Sequence, residues 1–264
     1  MINFLKGLAG GIGAVVPGLS GSVIFVILNI YEGCINSIYE LIHLKNIKKN
    51  ILFLLPILIG IVLGILLFGR IIKYFLDKFP LPTSAAFVGF ILGTIPFIFK
   101  EADKKGFHKK YYITFFISFF LGLMLTIMET KADFTQLSNI NFFQKLELGI
   151  VLASGDIIPG ISSTVLLTIF GMYDIYLKAL AEINILFFVP VILGFALGAI
   201  FFVVLMKYLL KNFYGFTYYA IVGFVIATVP AMLRGKMGFD LLTLLSVLIA
   251  IFSFFITYML GKLE

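Results

Sequence analysis

The chain has 264 residues, 61% of them apolar and 12% charged, with a mean hydropathy of +1.14. A soluble domain carries about 25% charged residues, so this composition cannot cover a water-exposed surface. The net charge of +7 does not point to nucleic acid either, because Lys45, Lys48, Lys49, Lys100, Lys104, Lys105, Lys109 and Lys110 crowd into short connections, as in loops that face anionic headgroups.

The expected fold is therefore an all-α integral membrane protein, one transmembrane domain over 1–264. Eight apolar segments follow in chain order: 7–30, 51–76, 84–99, 111–128, 147–171, 185–206, 217–233 and 241–260. Most approach the roughly 20 residues that a helix needs to cross a bilayer. The first and fifth are interrupted, by Pro17-Gly18 and Pro159-Gly160. Proline removes a backbone donor and clashes with the preceding turn, so each segment is expected to break there.

The chain is a repeat. Residues 51–100 align without gaps to 185–234, with 19 of 50 pairs identical, against about five expected by chance from so biased a composition. Pro56 pairs with Pro190, Gly60 with Gly194, Lys73 with Lys207 and Pro96 with Pro230. A second block aligns at a shift of 142: GAVVPGLSGS (13–22) matches GDIIPGISST (155–164), and Tyr31-Glu32 matches Tyr173-Asp174. The halves are 1–130 and 140–264, joined by the polar stretch 129–144.

Each broken segment either returns to its own side as a re-entrant hairpin or crosses as a discontinuous helix. Hairpins leave three crossings per half and make the halves inverted; crossings leave four and make them parallel. With hairpins, twelve of the 20 Lys and Arg fall on the side of both termini; with eight crossings, nine do. The positive-inside rule favours inverted halves with both termini cytoplasmic. Irregular backbone at membrane depth must line protein or a water cavity, and two matched breaks are the usual pointer to a carrier's binding site.

Candidate binding residues lie at the breaks: Pro17, Gly18, Ser20, Gly21 and Ser22 in one half, and Pro159, Gly160, Ser162, Ser163 and Thr164 in the other. Hydroxyls and free amides where a half-helix begins suit an anion, above all phosphate. Taken singly, Ser20 and Ser162 would only cap those half-helices; the pairing of two copies favours a site. Lys73 and Lys207 occupy equivalent helix ends, and Arg70 precedes Lys73 by one turn. These cations either snorkel to headgroups or contact a lipid phosphate. Among the acids, Asp156 stands directly before the second break, while Glu32 and Asp174 end the broken segments; all three are candidates for proton coupling. No Ser/His/Asp set, HExxH or P-loop is present, and His43 and His108 lie in loops beside lysines. No enzyme, metal site or cofactor is expected.

VVPGLSGS followed by NIYE, and IIPGISSTVLL followed by FGMYD, resemble the bacterial and archaeal family of domain of unknown function 368, also described as polyprenyl-phosphate transporters. The resemblance covers nearly the whole chain. It implies a flippase for undecaprenyl phosphate, the carrier lipid of cell-wall synthesis, in the cytoplasmic membrane, with that lipid and the surrounding membrane lipids as partners. The family often has Gly-Gly-Thr after the first Ser and an acid before the first Val-Pro-Gly. Here Gly21-Ser22 follows, and the acid, Asp156, belongs to the second half. A carrier for a small soluble anion and a lipid-phosphate phosphatase are the competing readings.

Overall fold

The computed structural model of the protein describes residues 1–15, 20–131, 140–182, 184–233, 238 and 240–263. Regular structure among them is helical throughout. The first half contains α1 (Ile2–Val15), α2 (Gly21–Ile27), α3 (Tyr31–Ile42), α4 (Ile47–Lys78), α5 (Pro80–Ala102) and α6 (Tyr111–Lys131). The second contains α7 (Phe142–Ile157), α8 (Ser163–Ile169), α9 (Tyr173–Ala181), α10 (Ile185–Asn212), α11 (Tyr214–Met232) and α12 (Leu241–Leu263). The element order is thus the same in both halves.

Local sequence explains where several of these helices start. Pro80 opens α5, where its missing N–H costs nothing. Asn141 and Gln144 form a reciprocal capping box at α7. The Asn184 side chain accepts from the Phe187 N–H to open α10, and that of Asp240 accepts from the Thr243 N–H at α12. Five helices are long and apolar enough to cross a bilayer, within 47–78, 80–105, 111–129, 185–212 and 241–259. The apolar stretch of α11, Tyr214–Pro230, is shorter, and α2–α3 and α8–α9 form pairs bent by 114° and 118°. The chain is a multi-pass membrane protein.

The first broken segment is a helical hairpin. A Cβ on Gly21 would lie 3.6 Å from the Ala14 Cβ, and one on Gly10 would lie 2.3 Å from the Phe25 ring. Further on, Lys6 Nζ donates to the Leu28 carbonyl at 2.6 Å. Later residues of α2 meet earlier residues of α1, so α2 runs back along α1. Lys6 also satisfies a carbonyl at the C-terminal end of α2, the end that favours a cation. In the other half, Gly155 on α7 lies so close to α8 that a Cβ there would be 2.3 Å from the Ser163 nitrogen. The chain leaves α2 through Asn29 (φ 52°) and leaves α8, at the matching position, through Gly171 (φ 66°). Both are left-handed, a region that Asn and Gly enter most cheaply.

Glycine seams fix how the long helices run. A Cβ on Gly7 or Gly11 of α1 would strike the Ile57 or Ile61 carbonyl of α4, each at 2.2 Å, so α1 and α4 are parallel. Gly194 against Leu146, and Gly198 against Ile150 and Ala153, make α7 and α10 parallel in the same way. The last helices are exchanged between halves. Gly89 and Gly93 of α5 pack on Ala250 and Phe254 of α12, and Gly215 and Gly223 of α11 pack on Tyr111 and Phe115 of α6, both pairs parallel. In the absence of a hydrophobic driving force between helices in lipid, such close backbone approach is what holds them together. α11 starts beside the end of α5, where the Tyr214 hydroxyl donates to Glu101 Oε1 at 2.8 Å, so these equivalent helices run in opposite directions. The main core lies between the halves, around Val23, Ile91, Val203, Tyr219, Val222 and Val225.

Candidate functional site

The two breaks meet. Ser20 Oγ donates to the Gly155 carbonyl at 2.9 Å, and Gly155 lies in the last turn of α7, just before Pro159-Gly160. A second strut joins the same regions, the Tyr31 hydroxyl donating to the Ile157 carbonyl at 2.9 Å. Both carbonyls belong to the last turn of a helix, which leaves such acceptors without intrahelical partners. Pro17 and Gly18 lie outside the described residues.

Around this junction the halves repeat one hydroxyl arrangement. Ser20 and Ser162 occupy the N-cap positions of α2 and α8, yet neither side chain caps a backbone N–H of its helix. Ser20 Oγ pairs with Ser22 Oγ at 2.7 Å, and Ser162 Oγ pairs with Thr164 Oγ1 at 2.7 Å. The capping role expected of an isolated Ser is replaced by a paired hydroxyl cluster in each half. Ser20, Ser22 and Ser162 are buried, whereas Thr164 is exposed and Ser163 and Gly21 are half-buried. Ser163 Oγ donates to Asp156 Oδ1 at 3.2 Å, beside the second break. Pro159 is fully buried. Gly160 has φ +86°, and a Cβ there would lie 2.6 Å from the Phe224 Cβ and 3.0 Å from the Val225 nitrogen of α11.

The other candidates divide. Lys207 Nζ donates to Asn36 Oδ1 on α3, a bond between the halves. Lys73, its equivalent, has a side chain 78% exposed and stands 3.9 Å from Asp77 on its own helix; Arg70 is exposed on the same helix. Among the described residues neither Arg70 nor Lys73 makes a side-chain bond to the other half, although Gly69, beside Arg70, packs on Val15 at the end of α1. Glu32 accepts from the Tyr218 hydroxyl at 2.7 Å, whereas Asp174 at the matching place is exposed. Sequence reading did not find Asn36, Gly155 or Tyr218, since all three act across halves and no periodicity reports such a contact. Tyr31 carried a signal, its repeat at Tyr173, but not its partner. No cluster of three or more His, Cys, Asp or Glu suited to a metal occurs among the described residues.

The chain is 28% identical to the polyprenyl-phosphate transporter of Staphylococcus aureus, across 99% of this chain and 96% of that protein. It is 26% identical to the polyprenyl-phosphate transporter of Vibrio cholerae, across 86% of this chain and 76% of that protein. No solved structure matches it. The family profile spans residues 10–243, both breaks included. Paired Pro-Gly-x-Ser breaks, their shared hydroxyl geometry and that match together give the assignment: the chain belongs to the undecaprenyl phosphate translocase-like family.

Proposed function

We propose that the protein carries polyprenyl phosphate, undecaprenyl phosphate in particular, across the cytoplasmic membrane, recycling the carrier lipid of cell-envelope synthesis. The phosphate is handled at the junction of the breaks and the prenyl tail stays in the bilayer. One observation carries this reading: the Ser20–Gly155 bond at 2.9 Å brings two matched polar breaks together inside an otherwise apolar chain. Family membership and the two similar transporters supply the substrate class. The hydroxyls of Ser20, Ser22, Ser162, Ser163 and Thr164 are donors for phosphate oxygens, and the amides beside Gly18 and Gly160 add to them. Lys207 sets the helix end near α3 and offers a cation to a headgroup entering from that side. Asp156 would exclude an anion while charged and admit it when protonated, which makes it the candidate coupling group; Glu32 and Asp174 are candidates of the same kind.

An inverted arrangement of the halves accounts for the opposite directions of α5 and α11 and for the matched hairpins. Both termini then share one side, the cytoplasmic one by loop charge. The hairpins are re-entrant in this arrangement. The backbone at the second break need not be wrapped in lipid, since Gly160 packs on Phe224 and Gly155 accepts from Ser20 of the other half.

The test is transport in reconstituted vesicles. Polyprenyl phosphate added to one leaflet should reach the other only in protein-containing vesicles. It should also raise the thermal midpoint of the purified protein, which inorganic phosphate and small carboxylates should not. Stabilisation by inorganic phosphate alone would favour the small-anion carrier, and release of free phosphate from the lipid would make the protein a phosphatase.

A further inference from the structure

The two halves correspond residue by residue, yet they do not pack alike. α3 packs on α10 of the other half, and α2 packs on α5. Among the described residues the matching elements behave differently: α9 makes no comparable packing on α4, and α8 rests on α6 instead. The side chains follow. Asn36 receives Lys207, and Glu32 receives Tyr218, which is only 2% exposed. Tyr214 and Tyr219 bond elsewhere, to Glu101 in the last turn of α5 and to Asp103 just after it. At the other end, Asp174, Lys178 and Glu182 of the α9 region are exposed, as are Lys73 and Asp77 of α4. At the breaks Ser20 and Ser162 are equally buried, but Ser22 is 5% exposed while its counterpart Thr164 lies open.

From this asymmetry we infer that the protein has two gates and that the structure is the state with the α3 gate shut and the α9 gate open. In the opposite state α9 closes onto α4. The repeat says which residues then meet: position 36 corresponds to Lys178, 207 to Lys73, 32 to Asp174 and 218 to Ser84. Lys178 thus arrives beside Lys73, whose neighbour Asp77 (the counterpart of Lys211) can pair with it. Glu182, one turn after Lys178, arrives to pair with Lys73. Asp174 accepts from Ser84. The first gate is held by the Tyr218–Glu32 and Lys207–Asn36 bonds and the second by an alternating set of charges. Tyr218 has Ser84 at its counterpart, so the tyrosine latch exists at one end only. This asymmetry biases the resting protein toward the shut α3 gate. The inference rests on the transport reading for its purpose, though not for its geometry.

Paired cysteines test it on the full chain in vesicles, in a Cys34→Ala background, since Cys34 is the single cysteine and is buried. Asn36→Cys with Lys207→Cys should be linked by a short bis-maleimide, and so should Lys73→Cys with Lys178→Cys. With all four present, each molecule should carry one link or the other and never both, and the first link should stop transport. Absence of the second link, or both links in one molecule, overturns the inference. Mutual exclusion is read from peptide masses without substrate, so it stands or falls separately from the identity of the transported lipid. A milder variant guards against misfolding. Tyr218→Phe removes one bond to a carboxylate, which shifts the gate equilibrium about tenfold. The excess of Thr164→Cys over Ser22→Cys labelling by a water-soluble maleimide should shrink by the same factor, and an unchanged ratio overturns the latch.

Discussion

At Gly160 the backbone and its surroundings make the same demand. A side chain at φ +86° is strained by about 1–2 kcal/mol. It would also drive a Cβ to 2.6 Å from Phe224, adding an overpacking cost of about 1–3 kcal/mol. Gly160→Ala, and Gly160→Leu more so, should lower the thermal midpoint in detergent and transport together. A variant here with unchanged stability would mean that α11 yields easily. Ser162→Ala is the cleaner probe of binding, because it deletes only the 2.7 Å pair with Thr164. Its stability cost should stay near 1 kcal/mol while transport falls; full transport in a stable Ser162→Ala protein would remove that hydroxyl from the site. Lys207 and Lys73 were equivalent in sequence, and the structure makes them unequal. Lys207→Gln should impair transport, whereas Lys73→Gln, which breaks only an exposed pair, should change stability by less than about 1 kcal/mol. Equal effects on stability would show that the Asn36 bond contributes nothing.

Among the elements, the breaks, the long helices and the glycine spacing were legible in the sequence. Pro-Gly pairs at 17–18 and 159–160 mark the interruptions, whereas Pro56, Pro96, Pro190 and Pro230, which no glycine follows, sit inside continuous helices; Gly60/Gly64 and Gly194/Gly198 mark close packing. Which helix fills each seam was not legible. α4 receives α1, and α10 receives α7, from within each half, but α5 receives α12 and α6 receives α11 across the chain. The segments 111–128 and 241–260 share little identity, so the repeat gave no hint of this exchange. The seams are tight enough to test. A Cβ on Gly194 would sit 1.9 Å from the Leu146 carbonyl, and backbone cannot rotate away as a side chain can. Gly194→Val should therefore cost about 1–3 kcal/mol or more and lower the thermal midpoint. The same substitution at Gly106, whose Cβ would meet nothing within 4 Å, would carry only backbone strain at φ 101°.

For the whole molecule, the alternatives left open by the sequence differ in where loops face, and the packing directions favour the proposed hairpins. If each broken segment crossed the membrane, the 103–110 loop and the α10–α11 turn would lie on opposite sides. If each returns as a hairpin, they share a side with both termini. α6 and α11 begin together, since a Cβ on Gly215 would touch the Tyr111 ring at 2.4 Å and Thr114 Oγ1 donates to the Phe216 carbonyl at 3.1 Å. Lys105 Nζ likewise stands 4.1 Å from the centre of the Tyr214 ring. Contacts this short cannot bridge a hydrocarbon core of about 30 Å. Lys109→Cys and Lys211→Cys, each in the Cys34→Ala background, should therefore react with an impermeant maleimide from the same face. By loop charge that face is the cytoplasmic one, so in intact cells both should stay unlabelled until the membrane is permeabilised. Labelling of both from outside would invert the orientation and leave the hairpins standing. Labelling of one without the other would remove the hairpins, and with them the shared junction on which phosphate handling rests.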